Sequence, residues 1–166
     1  MYTIRPLQAN DSLLELTDLV QSAYARFKDQ SLDLQGVDQD LATSRQRLQN
    51  LHTCLIALDG NTMIASLSIH YPKPSRTSHW YSQQGVVKIS QLAVRPAYQG
   101  QGLGCLLIEL AGQIAKDIHG VKNLALDTAQ EAKSLVNYYQ SLGFEIKESL
   151  QWPGKTYWSY VLNKTL

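Results

Sequence analysis

Three glycines at alternate positions, in Gln99-Gly100-Gln101-Gly102-Leu103-Gly104, stand between an apolar run of strand character and a set of leucines and isoleucines at helical spacing. Glycine leaves the backbone bare, so several N–H groups can converge on one point. The positive end of the helix that follows adds to their field. That chemistry suits a pyrophosphate. Two common phosphate-binding patterns do not fit. A Walker loop needs Gly-Lys followed by Ser or Thr, and Leu103-Gly104-Cys105 supplies neither the lysine nor the hydroxyl. The dinucleotide fingerprint needs its third glycine where this chain has Cys105 or Leu107. Asp127 does follow at the distance of roughly 20 residues which that pattern expects. The glycines are either plain connectors in a tight turn or a phosphate cradle. Their place between a strand and a strongly amphipathic helix favours the cradle.

Other side chains of chemical interest are scattered. Cys105 lies at a helix N-terminus, where a thiol ionises more easily, but no histidine is near it in sequence to make it a nucleophile. Asp127 ends a short apolar run. A carboxylate there either accepts a proton from an incoming nucleophile or caps the structure that starts at Thr128. His70 and His79 are further candidate bases. Tyr71 to Gly85 contains Tyr71, His79, Trp80 and Tyr81, aromatics that either enclose an apolar or cationic group or pin a long loop to the body. Asp29 and Asp33 either attract an amine or are ordinary solvated charges. Leu135, Tyr138, Tyr139 and Leu142 share one helical face, the pattern of core residues. Neither Cys54 nor Cys105 has metal-ligand spacing, and no metal is expected.

The elements that must position these residues are legible in the periodicity. Thr3 to Pro6 predicts a short strand closed by Pro6. Ser12-Leu13-Leu14-Glu15 is a capping-box pattern in which Ser12 and Glu15 satisfy each other's backbone donors. Leu13, Leu16, Val20, Ala23 and Phe27 then recur at helical spacing. A second amphipathic helix fits Val37, Leu41, Leu48 and Leu51, opened by Asp38 or Asp40, with Asp29 to Gly36 as the loop before it. Cys54 to Leu58, a turn at Asp59-Gly60-Asn61 and Met63 to His70 predict a hairpin. Val86 to Val94 is a third strand, stopped at Arg95-Pro96.

In that third strand the apolar side chains change phase. Val87 and Ile89 are odd, whereas Leu92 and Val94 are even. A regular strand keeps one phase. Either a bulge near Ser90-Gln91 re-aims the backbone, or the strand is buried on both faces. Leu103, Leu107, Leu110, Ile114 and Ile118 predict the next helix, ending at His119-Gly120. Leu124 to Asp127 is a strand, Lys133 to Leu142 a helix stopped by Gly143, and Phe144 to Leu150 and Tyr157 to Leu162 closing strands around a turn at Trp152-Pro153-Gly154. The order β-α-α-β-β-β-α-β-α-β-β predicts an α/β (α+β) fold, a mixed sheet flanked by helices.

Composition narrows the partners. At 166 residues and 18.6 kDa the chain is one domain's worth, able to bury a core without staples. Hydrophobic residues at 44% and charged ones at 17% exclude a disordered or coiled-coil chain. Lys+Arg 15 against Asp+Glu 14 leaves +1, which counts against a nucleic acid partner. No apolar run approaches the ~20 residues that span a bilayer, and Met1 to Pro6 lacks a signal's apolar core. A protein of a reducing cytoplasm is expected, with no membrane partner.

Gln99-x-x-Gly102-x-Gly104, preceded by Leu92-Ala93-Val94-Arg95-Pro96, resembles the coenzyme A loop of the Gcn5-related N-acetyltransferases (the GNAT superfamily). Tyr139-Gln140-Ser141-Leu142-Gly143-Phe144 is similar to that family's Tyr-x-x-x-Gly-Phe. Ile4-Arg5-Pro6 followed by Asp11 is similar to its opening, and the element order matches along essentially the whole chain. The resemblance implies a mostly antiparallel mixed sheet and one N-acetyltransferase domain over residues 1–166. It implies acetyl-CoA as co-substrate, held by the main chain of Leu92, Ala93 and Val94 along the pantetheine arm. Gln99, Gly100, Gln101, Gly102, Leu103, Gly104 and Cys105 would hold the pyrophosphate. The Val94 N–H would polarise the thioester carbonyl, and Tyr139 would protonate the departing thiolate. The acetyl group would pass directly to a primary amine of a small molecule or peptide in a ternary complex.

The chain departs from the family pattern twice. Ala132 stands where many members carry an asparagine, and Lys88-Ile89-Ser90-Gln91 holds no carboxylate where many carry a glutamate base. Asp127 is the candidate base in its place. Both departures also suit the alternative of a domain that binds acyl-CoA without turnover. The acceptor is expected near Asp29 to Gly36, with Trp152 to Trp158 as another wall. Many relatives form homodimers through a sheet edge or the C-terminal strand, and Val161 and Leu162 permit that here.

Overall fold

Alternation along a central hairpin sets the layers. In a computed structural model, which describes residues 2–30, 34 and 36–166 (Asp29 and Gln30 by backbone alone), strand β2 (Leu51–Asp59) and strand β3 (Thr62–His70) pair antiparallel. Cys54 and Ile56 of β2 pack with helix α1 (Leu13–Tyr24), whereas Leu55 and Ala57 join the other face with helix α3 (Leu103–Lys116). The sheet therefore lies between α1 with α2 (Leu41–Leu48) and α3 with α4 (Lys133–Ser141).

Seven strands form one sheet in the order β1-β2-β3-β4-β5-β7-β6, with β1 at Tyr2–Pro6, β4 at Val86–Val94, β5 at Asn123–Ala129, β6 at Glu145–Leu150 and β7 at Ser159–Thr165. All neighbours are antiparallel except β4 and β5. The predicted order of elements is the observed one. Among the described residues no helix is long and apolar enough to cross a membrane.

The phase change in β4 is a bulge. Between the pairs Ser66↔Ala93 and Ser68↔Ser90, β4 spends one residue more than β3, and Gln91 takes a φ of 51°. Val87 and Ile89 before the bulge, and Leu92 and Val94 after it, pack into the same core layer. That is why the sequence changes parity.

Local expectations are corrected in three places. Ser12 accepts from the Glu15 N–H at 3.2 Å, but the Glu15 carboxylate does not return to it. It reaches across to the Met63 N–H at 2.8 Å and ties α1 to the hairpin. Asp40, not Asp38, caps α2 by accepting from Thr43 N–H, and Leu51 belongs to β2. Finally, β7 runs inside the sheet with β5 and β6 on either side, and Val161 and Leu162 are fully buried. The edges open to a second copy are therefore β1 and β6, not the C-terminal strand.

Candidate active site

Among the described residues β4 and β5 are the only parallel neighbours, and they touch briefly. Register holds at Val86↔Asn123, Val87↔Leu124 and Lys88↔Ala125, after which the strands part. Beyond Lys88 and Ala125 the sheet opens between the two strands. A cleft of about 530 Å³ lies there, walled by Lys88 to Leu92 of β4, Leu126 to Ala129 of β5, Tyr24 of α1, Leu135 and Tyr139 of α4, and the turn at residues 152–157. Beyond the bulge, the Arg95 N–H donates to Ile64 O at 2.8 Å. Alternation in an antiparallel ladder then turns the Val94 N–H away from β3, into the gap.

The glycine stretch lies at the far end of β4, outside the cleft wall. Gly100 and Gly102 have φ of 75° and 82°, a region where side chains are strained, and a Cβ added to either would meet nothing within 4 Å. Gly102 is the N-cap of α3 and offers no side chain to it, so the first N–H groups of a 14-residue helix have no side-chain cap. Gln99 and Gln101 are committed elsewhere. Their amide nitrogens donate to Val94 O at 2.9 Å and Ala97 O at 3.1 Å, fixing the loop to what precedes it. Cys105 makes a 3.6 Å contact with Glu109, and burial and that carboxylate raise its thiol pKa. It is no activated nucleophile.

Tyr139 faces the cleft from α4, nearly buried, against Phe144 and Tyr138 at ring distances of 6.0 and 5.4 Å. Burial first, then the neighbouring Tyr24, Tyr138 and Asp127, pushes its phenol well above the usual range, so it holds its proton at neutral pH. Tyr138, on the adjacent turn of surface, lies against Gly104 instead: a Cβ there would sit 2.8 Å from its hydroxyl. Tyr24, which the sequence did not single out, donates to Leu92 O at 3.0 Å and so occupies that carbonyl.

Asp127 does not cap a helix. β5 continues to Ala129, and the Asp127 Oδ1 meets Lys88 Nζ at 2.6 Å and accepts from the Tyr81 hydroxyl at 2.7 Å. Tyr81 stacks on Trp152 at 6.1 Å. The loop carrying Tyr81 is held by Glu148 of β6, which accepts from Ser78 Oγ at 2.5 Å and from the His79 and Trp80 N–H groups at 2.9 and 3.1 Å. Burial opposes the Glu148 charge, but these bonds win and keep its carboxyl below the usual range. Of the two readings of the aromatic loop the structure shows the pinning: Trp80 donates to Asn163 Oδ1 at 3.2 Å, and the buried Tyr81 reaches Asp127 from behind the cleft wall without lining it. His79 instead contacts Gln83 at 3.0 Å and does not line the cleft.

His70 does line it, with Nε2 2.7 Å from Ser90 Oγ. Burial, then Lys88, lowers its pKa to about 4. The strained Gln91 is supported by a buried polar chain. Gln39, 1% exposed, donates to Gln91 Oε1 at 3.0 Å and to Ser44 Oγ at 2.9 Å, while Arg47 Nη1 donates to Gln39 Oε1 at 2.9 Å. Of the acidic pair foreseen beside the acceptor, Asp33 lies outside the described residues, and of Asp29 only the backbone is described. Ala132 is the uncapped N-cap of α4, buried against Phe27 and Leu34.

The structure brings Tyr139, Asp127 and Leu92 to one cleft, and places Gln99 to Cys105 together at another point along β4. Ala93 turns its side chain under α1, leaving only its backbone for a ligand. Lys88, Tyr24, Gln39 and Glu148 were missed as site residues. Only Lys88 left a local signal, as a charge in an otherwise apolar strand.

Similar arrangements occur in solved structures. The ribosomal-protein-S18-alanine N-acetyltransferase of Escherichia coli superposes with a TM-score of 0.73 at 19% identity, over 99% of this chain and 94% of its own. A GNAT family acetyltransferase from Elizabethkingia anophelis with acetyl-CoA bound matches at 0.69 and 20%, over 99% and 98%. One of the same family from Streptococcus pneumoniae matches at 0.69 and 21%, over the whole of both chains. A search of curated proteins finds no sequence relative. The family model described as Acetyltransferase (GNAT) family matches residues 14–144. With a split β4–β5 pair, a bulge beside it and a glycine-opened α3, this chain belongs to the GNAT acetyltransferase family.

Proposed function

We propose that the chain transfers an acetyl group from acetyl-CoA to a primary amine of a small molecule or peptide, with both bound together and no acyl-enzyme. One observation carries the reading. The split between β4 and β5 has an uncapped, side-chain-free helix N-terminus at one end and a protonated phenol facing a carboxylate at the other.

The chain's residues fit the coenzyme. The open space at Gly100 and Gly102 leaves room for a diphosphate against the first N–H groups of α3, including those of Leu103, Gly104 and Cys105. With their side chains tied back, Gln99 and Gln101 offer backbone alone. The main chain of Leu92, Ala93 and Val94 would hold the pantetheine arm where β5 no longer pairs, chiefly through N–H groups, since Tyr24 and Gln99 already donate to the Leu92 and Val94 carbonyls. Bound acetyl-CoA supplies a thioester carbonyl as electrophile and a thiolate as leaving group. The Val94 N–H, turned into the gap, stabilises negative charge on the carbonyl oxygen. Tyr139 gives its proton to the departing sulfur. Asp127 takes the proton that the nitrogen sheds. Its Oδ1 already serves Lys88 and Tyr81, and its Oδ2 has no bonded partner among the described residues.

The test is a thermal-shift titration followed by an assay of thiol release. Acetyl-CoA at a hundredfold excess over Kd stabilises the native state by about 2.7 kcal/mol, whereas NAD and ATP leave it unmoved. Release of coenzyme A on adding an amine completes the case, and absence of any coenzyme shift defeats it. A second reading, coenzyme binding without turnover, is favoured by Ala132 and by the lack of a carboxylate in Lys88-Ile89-Ser90-Gln91. It predicts the shift with no thiol release from any amine.

A further inference from the structure

Lys88 changes what the acceptor can be. Its ammonium lies 2.6 Å from Asp127 Oδ1, 5.0 Å from the ring centroid of Tyr81 and 5.4 Å from that of Trp152. A carboxylate beside two aromatic faces is the set that recognises an ammonium ion. Here the chain's own ammonium occupies it. Asp127 is the only aspartate or glutamate among the described residues that line the cleft. Its charge is matched by Lys88, so the pair adds up to zero and offers a second cation no net attraction.

His70 responds to the same surroundings. It is faced by Lys88 and Ser90 from β4, Asp127 from β5 and Arg47 from α2. Burial and the two cations outweigh the one anion, and the ring nitrogen stays unprotonated down to a pH of about 4. Beside His70's own burial, the charges of Lys88 and Arg47 are what a further cation at this wall would meet.

We infer that the acceptor nitrogen enters uncharged, and that the acceptor is an aromatic amine. This rests on the acetyl-transfer reading above and narrows it. An alkylamine with a pKa of about 10 is neutral in about one molecule in a thousand at pH 7. Among the described residues of the cleft it finds no carboxylate whose charge is not already matched by a cation to draw its charged form in. An aromatic amine delocalises its lone pair into the ring and is neutral at that pH. Its ring meets Tyr24, Tyr157 and Trp152 in the cleft wall. The nitrogen then sheds its proton to Asp127 Oδ2 only as the N–C bond forms and the C–S bond breaks, while the sulfur takes its proton from Tyr139.

Two measurements test this. In the first, coenzyme A release by the wild type is followed with aniline and with benzylamine at pH 7 and pH 9. Aniline is expected to lead by at least about tenfold at pH 7, a gap that closes as rising pH neutralises benzylamine. Equal rates at pH 7, or a benzylamine lead, overturn the inference. In the second, benzyltrimethylammonium is titrated against tryptophan fluorescence without any coenzyme. The wild type and Lys88→Arg, which keep the cation in place, show no saturable binding. Lys88→Gln, and Lys88→Met should the first variant not fold, bind it saturably once a melting transition confirms the fold. Binding by the wild type, or none by either folded variant, overturns the inference even if no amine is turned over. If acetyl-CoA gives no thermal shift, it is the acetyl-transfer reading that falls, and the fluorescence arm still reports on the cage.

Discussion

The two ends of β4 are built from different material. At one end, Gly100, Gly102 and the start of α3 present backbone, and the nearby glutamine side chains are tied back to carbonyl oxygens. At the other, Lys88, Asp127, Trp152 and His70 present side chains drawn from segments far apart in sequence, with Tyr81 behind them on Asp127. A backbone site needs particular φ values and empty space, so few residue types satisfy it and the spacing is stereotyped. A side-chain site needs only that some residue deliver the right group, so its chemistry varies freely over one frame. The difference explains how a family can share a coenzyme loop and diverge in the acceptor it serves.

Four perturbations would break or sharpen that contrast. The largest effect is expected at the backbone end. Gly102→Trp forces a side chain into a left-handed position and into the open space in front of α3, and should abolish the acetyl-CoA thermal shift. The strain itself costs only about 1–2 kcal/mol, so a folded variant is recoverable. Retained coenzyme binding would mean that the loop is only a turn. Next comes Tyr139→Phe, which removes a proton donor and leaves the backbone site alone. Turnover should fall on the order of a hundredfold with the KM for acetyl-CoA unchanged.

The third perturbation is pH, which should act on the side-chain end alone. Between pH 6.5 and about 4 the unfolded chain protonates His70 and the folded chain does not. Stability therefore falls as pH drops through that window, by roughly 2–3 kcal/mol, and levels off below it. Urea unfolding from pH 7 to pH 4 should show this slope, and His70→Gln should flatten it. The smallest effect is expected where α4 meets the first turn of α3. Gly104→Ala meets the Tyr138 hydroxyl and should cost about 1 kcal/mol, most of it returned by adding Tyr138→Phe. No recovery in the double variant would place the strain in the backbone instead.

The legible parts of the molecule divide along the same line. The element order, the glycine-opened turn before α3 and even the bulge could be read, because each leaves a trace in consecutive residues: alternation, glycine spacing, or the parity change from Val87 and Ile89 to Leu92 and Val94. What could not be read is what one segment does for another. Nothing near Glu148 says that it holds residues 78–80 and so brings Tyr81 to Asp127. Glu15 fits a capping box by spacing, yet its carboxylate serves Met63, because the hairpin lies within reach only after folding. Val161 and Leu162 pass equally for an edge or a centre, and sheet order alone decides.

That order sets a schedule for synthesis. β5, which carries Asp127, has β4 beside it for three residue pairs and β7 beside it for seven. β7 follows the other six strands of the sheet in the chain. A nascent chain that already contains the whole segment matched by the family model, residues 14–144, still lacks the partner that covers most of β5. The cleft wall is thus completed only after β7 has been made, and until then the flank of β5 that β7 covers is an unpaired strand edge.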